Sequence, residues 1–122
     1  MANFLYLFWS KQTDQKPPSP QEMERRVKTW MDWMDDLRKT GHSIKAGERL
    51  DGNGKLVRGK AKVVTDGPYA EAKDTIGGYI LVEADDLAQA AELAKGCPIL
   101  EVGGLVEVRP IAPMLSCRGR DA

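Results

Sequence analysis

The first cluster of apolar positions is Phe4-Leu5-Tyr6-Leu7-Phe8-Trp9. It is too short for an average helix and rich in aromatics, which predicts a strand over residues 3–9. Successive strand side chains point to opposite faces, so Phe4, Tyr6 and Phe8 share one face and Leu5, Leu7 and Trp9 the other. Both faces are apolar, unlike a sheet with one solvated side, and each needs a cover. Residues 10–19 read as a polar loop. Ser19-Pro20-Gln21-Glu22 then pairs a serine N-cap with proline at the first helical position and glutamate at the third. Met23, Val27, Trp30, Met34 and Leu37 recur at steps of four and three, one stripe of an amphipathic helix. Trp33 lies at the stripe's edge, where packing in the core is favoured over lining a cleft. Arg38 and Lys39 suit the negative helix end, and Gly41 can terminate the helix.

Beyond residue 43 the pattern changes to short apolar segments. Residues 44–50 and 56–65 flank Asp51-Gly52-Asn53-Gly54, a glycine-rich turn that predicts a hairpin, and Asp66-Gly67-Pro68 stops the second arm. A polar loop through Asp74 leads, after Gly77-Gly78, to a strand at residues 79–82 that is again apolar on both faces. Asp85 or Asp86 caps a second helix carrying Leu87, Ala90, Ala91 and Ala94, which Gly96 and Pro98 end. A last strand covers residues 105–109. The order strand, helix, hairpin region, strand, helix, strand predicts an α+β, ferredoxin-like domain over residues 1–113 with a tail at 114–122. Its four-stranded antiparallel sheet carries an inserted hairpin and has both helices on one face. The remaining apolar face then calls for a second copy of the chain, which predicts a homodimer joined through the sheet face.

Composition narrows the class. With 122 residues the chain fits one compact domain, and its 18 basic and 18 acidic residues give no net charge. That balance counts against nucleic acid as a partner and against attachment to a membrane by charge. No apolar run approaches the roughly 20 residues of a membrane span. Two widely spaced cysteines, Cys97 and Cys117, do not form a disulfide scaffold, and the chain is expected to be cytoplasmic.

Several short motifs dissolve on inspection. Gly54 to Ala61 resembles a phosphate loop, but alanine stands where the metal-binding hydroxyl belongs, and strand follows where a helix is required. Asp51-Gly52-Asn53-Gly54-Lys55 lacks the third oxygen ligand and flanking helices of a calcium loop. His42 is the only histidine and has no cysteine close in sequence, so no metal site is expected; capping carbonyls or meeting solvent is its expected role. Cys97, between Gly96 and Pro98, is expected to pack. The most distinctive stretch is residues 66–79, where a rigid turn, Tyr69, Glu71, Lys73 and a glycine pair lead into a strand at Tyr79. Loops of this kind hold charged groups at the mouth of a cleft.

These residues resemble the YCII-related superfamily, and within it the DGPF-type branch, whose name motif stands here as Asp66-Gly67-Pro68-Tyr69. The resemblance continues through Glu71, Lys73, Gly77, Gly78 and Tyr79 and through Gly103-Gly104 and Glu107-Val108-Arg109-Pro110, and covers residues 3–111. It implies a dimeric α+β barrel of ferredoxin-like domains. Relatives often have genes beside those for extracytoplasmic-function sigma factors. Other relatives are thought to use a histidine–aspartate pair, and the wider group includes muconolactone-processing lyases and isomerases. Residues 20–40 contain no histidine, so that pair does not carry over.

The leading expectation is a protein that binds a small, anionic molecule between the sheet and the loop at residues 66–73, without a cofactor or metal. Glu107 and Arg109 share one face of the last strand and would place fixed charges in an otherwise apolar cleft. In a lyase- or isomerase-type enzyme, Asp66 or Glu71 would serve as base, Lys73 or Arg109 would hold the anion, and Tyr69 or Tyr79 would orient it. The alternative is a non-catalytic regulatory module that partners an extracytoplasmic-function sigma factor.

Overall fold

The computed structural model describes residues 1–11, 18–67 and 74–112, except for the side chains of Lys45 and Ala46. Strand β1 (Ala2–Lys11) lies between β5 (Asp74–Ala84) and β6 (Leu105–Pro110) and runs antiparallel to both. Strand β2 (Ile44–Arg49) adds to the far side of β5, giving the order β2-β5-β1-β6. This is the expected ferredoxin-like α+β sheet, with a second, two-stranded sheet of β3 (Gly54–Arg58) and β4 (Val63–Gly67) inserted between β2 and β5.

Alternation decides which face of the sheet is covered. Phe4, Tyr6 and Phe8 of β1 and Ile80, Val82 and Ala84 of β5 are buried in one core. Trp33 and Leu37 of helix α1 (Pro20–Lys39) and Ala90 and Ala94 of helix α2 (Leu87–Ala94) join them, so both helices lie on this face. Phe8 meets Trp30 edge-on at 4.9 Å, and Tyr6 stacks on Trp33 at 6.2 Å. Such pairs add about 0.5–1.5 kcal/mol beyond the area they bury. The Tyr6 hydroxyl donates to the Ala90 carbonyl at 2.5 Å, which fixes α2 on the sheet. Burial pushes both the Tyr6 phenol and the Cys97 thiol up to about 12, leaving Cys97 a neutral packing residue, as expected.

Helix α1 starts as its sequence dictates. The Ser19 side chain accepts from the Glu22 backbone N–H at 3.1 Å, although the Glu22 carboxylate turns to Arg25 at 2.6 Å rather than closing the capping box. Gly41, at a φ of +91°, supplies the left-handed residue that ends the helix. Asp86 caps α2 by accepting from Gln89 N–H at 2.8 Å.

Three expectations need correction. The hairpin does not turn at residues 51–54: β2 is taken by β5, and residues 51–53 link the two sheets. The reversal falls inside the expected second arm, where Gly59 (φ +68°) and Lys62 (φ +57°) both adopt left-handed backbone. On the α1 stripe, Val27 is 52% exposed rather than packed, while Trp33 at the stripe's edge is buried in the core as expected. On α2, Leu87 and Ala91 face outward, and Leu93 packs inward with Ala90 and Ala94. For His42 the first of the two expected roles holds, meeting carbonyls rather than solvent. Its ring is buried with Nδ1 2.8 Å from the Glu83 carbonyl, while the His42 backbone N–H caps Leu37.

Candidate functional site

The alternate residues of the same strands form the other sheet face. Leu5, Leu7 and Trp9 of β1 and Tyr79 and Leu81 of β5 are half-buried there, and no helix among the described residues covers them. The register sets them in rows. Glu107, Leu7, Tyr79 and Glu48 form one row across all four strands, and Arg109, Leu5 and Leu81 form the next. The face is therefore apolar in the middle and charged towards both edges.

Its polar centre lies at the β1–β6 edge. Leu7 is opposite Glu107, so Trp9, two residues on, is the diagonal neighbour of Glu107 on the same face. The Trp9 indole Nε1 donates to Glu107 Oε1 at 2.9 Å, and an Arg109 guanidinium N–H donates to Oε2 at 3.2 Å. The indole bond first, and the Arg109 bond second, hold the Glu107 carboxyl below the usual carboxylate range. Glu107 is thus an anchored anion with both oxygens engaged, poorly suited to take up a proton. Arg109 is different: its side chain is 64% exposed and spends one of five N–H donors on Glu107. It can accept a ligand carboxylate or phosphate, for which its planar fork is well shaped.

Of the residues singled out in the sequence, Tyr79, Glu107 and Arg109 come together on this face. Asp66 does not join them. It sits on β4 in the second sheet, with its side chain 90% exposed and Oδ1 accepting from Lys55 Nζ at 2.5 Å. Burial, the condition its role as a base requires, is absent there. Tyr69, Glu71 and Lys73 lie outside the described residues. The segment holding them rejoins the sheet at Asp74, opposite Lys11, near the Trp9 end of the face.

Sequence reasoning put Trp9 on the face of Leu5 and Leu7 but missed it as the partner of Glu107, and it missed Glu48 as a member of this face. Trp9 carried one usable signal, an indole N–H on a strand face, which needs an acceptor when covered. A shallow polar depression lined by Arg49, Leu50, Asp51 and Gly52 lies at the β2 edge, two strands away from β1, and shares no residue with the Glu107 group. Among the described residues no group of three His, Cys, Asp or Glu side chains is placed to hold a metal ion, and no helix is long and apolar enough to cross a membrane.

No curated protein matches this chain. A model of the YCII-related domain matches residues 4–115, which takes in all four strands of the main sheet, both helices and the inserted hairpin, and by that match the chain belongs to the YCII-related family.

Proposed function

We propose that this chain binds a small amphipathic anion on the open face of its four-stranded sheet, and that a second copy lays its own open face over the first to close the cleft. The observation that carries the reading is the Trp9–Glu107–Arg109 group at the edge of a half-exposed apolar surface. Arg109 takes the ligand's anionic group, Leu5 and Leu7 take its apolar body, and Tyr79 orients it. Apolar walls with a few fixed charges are the usual composition of a ligand site. A symmetric partner suits the cover, because the same patch on both copies closes a two-fold dimer. The reading includes the dimeric α+β barrel, a cytoplasmic setting and the DGPF-type branch, the last resting on Asp66-Gly67-Pro68-Tyr69. Its catalytic form is a lyase or isomerase with Asp66 or Glu71 as base and Tyr69 and Lys73 as ligand contacts. Asp66 would have to leave Lys55 before accepting a proton.

A thermal-shift screen against small carboxylates and lactones tests the proposal. A ligand at about 100 times its dissociation constant stabilises by roughly 2.7 kcal/mol, and Arg109→Ala is expected to abolish that shift. A flat screen, or an undiminished shift in Arg109→Ala, overturns it. One observation favours the second reading, a non-catalytic module that binds an extracytoplasmic-function sigma factor. Val27 and Met31, one helical turn apart on α1, are 52% and 50% exposed. A flat screen together with sigma-factor binding that is lost in Val27→Glu/Met31→Glu would select it.

A further inference from the structure

Among the described residues, the inserted hairpin joins neither the larger sheet nor the core cluster. An isolated two-stranded hairpin is marginally stable in water, and three or more strands or a packed helix are normally needed. Among the described residues the two strands here pair only with each other, through Lys55↔Asp66, Leu56↔Thr65, Val57↔Val64 and Arg58↔Val63. Val57 and Val64 share one face and Val63 lies on the other, and they are 65%, 59% and 54% exposed. Branched apolar residues on both faces of a projecting ribbon indicate a partner that grips it.

The charge pattern says what kind of partner. Residues 54–67 hold Lys55, Arg58, Lys60 and Lys62 against Asp66 alone, a net charge of +3. Residues 85–102 hold Asp85, Asp86, Glu92 and Glu101 against Lys95 alone, a net charge of −3. In that second segment α2 and the following 3-10 turn (Pro98–Val102) expose Leu87 (47%), Leu100 (42%) and Val102 (61%) beside the acids. The two surfaces match in sign and in apolar content, and within one chain both remain exposed. At about 3.4 Å per residue, a five-residue strand reaches about 17 Å. That is farther than the roughly 10 Å spacing of packed layers.

We propose that the β3–β4 hairpin is a clasp that docks on the α2 and 3-10-turn surface of a second copy of this chain. Lys60 and Lys62 at the tip meet the acids around Glu92 and Glu101, and the valines meet Leu87, Leu100 and Val102. Nucleic acid is the competing occupant for a basic ribbon. The exposed valines and the acidic surface on the same neutral chain favour a protein partner with the opposite charge. The clasp does not depend on ligand binding at the open sheet face.

Sedimentation velocity on the full chain tests the clasp through charge exchange. Lys60→Glu/Lys62→Glu and Glu92→Lys/Glu101→Lys should each weaken the dimer about tenfold, and the quadruple variant should recover to within about twofold. All the altered side chains are exposed, so circular dichroism should stay that of the wild type. Val57→Ser/Val64→Ser should weaken the dimer without rescue. A chain that is monomeric up to about 100 µM overturns the clasp, as does a dimer indifferent to these changes or a quadruple variant that does not recover. Binding of duplex DNA that is lost in Lys60→Glu/Lys62→Glu, with dimerisation untouched, assigns the hairpin to nucleic acid instead. A dimer that resists every clasp variant leaves the open-face reading standing, because that reading is judged by ligand shifts in Arg109→Ala.

Discussion

The two faces of the main sheet are built from alternate residues of the same strands and differ in how their polar groups are used. On the helix-covered face, Phe4, Tyr6, Phe8, Ile80 and Val82 are buried, and the Tyr6 hydroxyl spends its hydrogen bond on a backbone carbonyl inside the fold. On the open face, Leu5, Leu7, Tyr79 and Leu81 remain half-exposed, and at the β6 edge beside them a carboxylate is held by an indole and a guanidinium. The first arrangement uses polarity to lock two elements together. The second fixes a charge at a surface. One strand, β1, supplies both, and only the parity of the residue number separates them.

The contrast breaks most visibly in stability. Phe8→Ala empties a site flanked by Trp30 and Trp33 and should cost about 3–5 kcal/mol in urea unfolding, against about 1 kcal/mol for Leu7→Ala measured on dilute protein. Equal losses would mean that the open face is as deeply buried in solution as the covered one. A smaller effect is expected from Gly104→Ala. A Cβ there would come 2.5 Å from Ile99 Cγ1 and 2.7 Å from the Trp9 carbonyl oxygen, so the β1–β6 edge must shift. We expect about 1–3 kcal/mol from such overpacking. The comparison sharpens if the Trp9–Glu107 bond is lost at the same time, read as a change in indole fluorescence; an unstrained variant would show that this edge yields freely.

The smallest effect is electrostatic. Glu107 titrates below its ordinary value of 4.5 in the folded chain. Its contribution is therefore present above about pH 4.5, where the unfolded carboxyl is ionised, and is lost as pH falls through the lower folded value. Trp9→Phe removes the main cause, so the Glu107 midpoint, followed by NMR of its side-chain carboxyl, should rise towards 4.5. The acid limb of the stability curve should flatten in that range. An unmoved midpoint would show that Arg109 alone sets it.

The elements that local chemistry governs were legible in the sequence. Strand β1 was readable from six consecutive apolar residues, and α1 from Ser19, Pro20 and Glu22. The hairpin was misplaced because Gly52, Asn53 and Gly54 advertise a turn more strongly than the true reversal does. At that reversal Lys62, a residue with no preference for left-handed backbone, takes φ +57°. Val27 fitted the α1 stripe, but periodicity does not say which stripe positions the rest of the fold covers. On the candidate site, alternation alone put Glu107 and Arg109 on one face. Trp9 was invisible as their partner because it lies 98 residues from Glu107 in the chain. No local pattern encodes a contact that two strand pairings create.

The central position of β1 also shapes how the protein is made. Its neighbours, β5 and β6, are encoded at residues 74–84 and 105–110, so β1 is synthesised long before either partner exists. At about 5–20 residues per second, roughly 4–15 s separate the emergence of β1 from that of β5, its first neighbour. Throughout that interval an uncharged run from Phe4 to Trp9, of the kind that self-associates into cross-β stacks, has nothing to pair with. Folding of the main sheet must wait for the late strands, and until then the aromatic segment stays open to self-association.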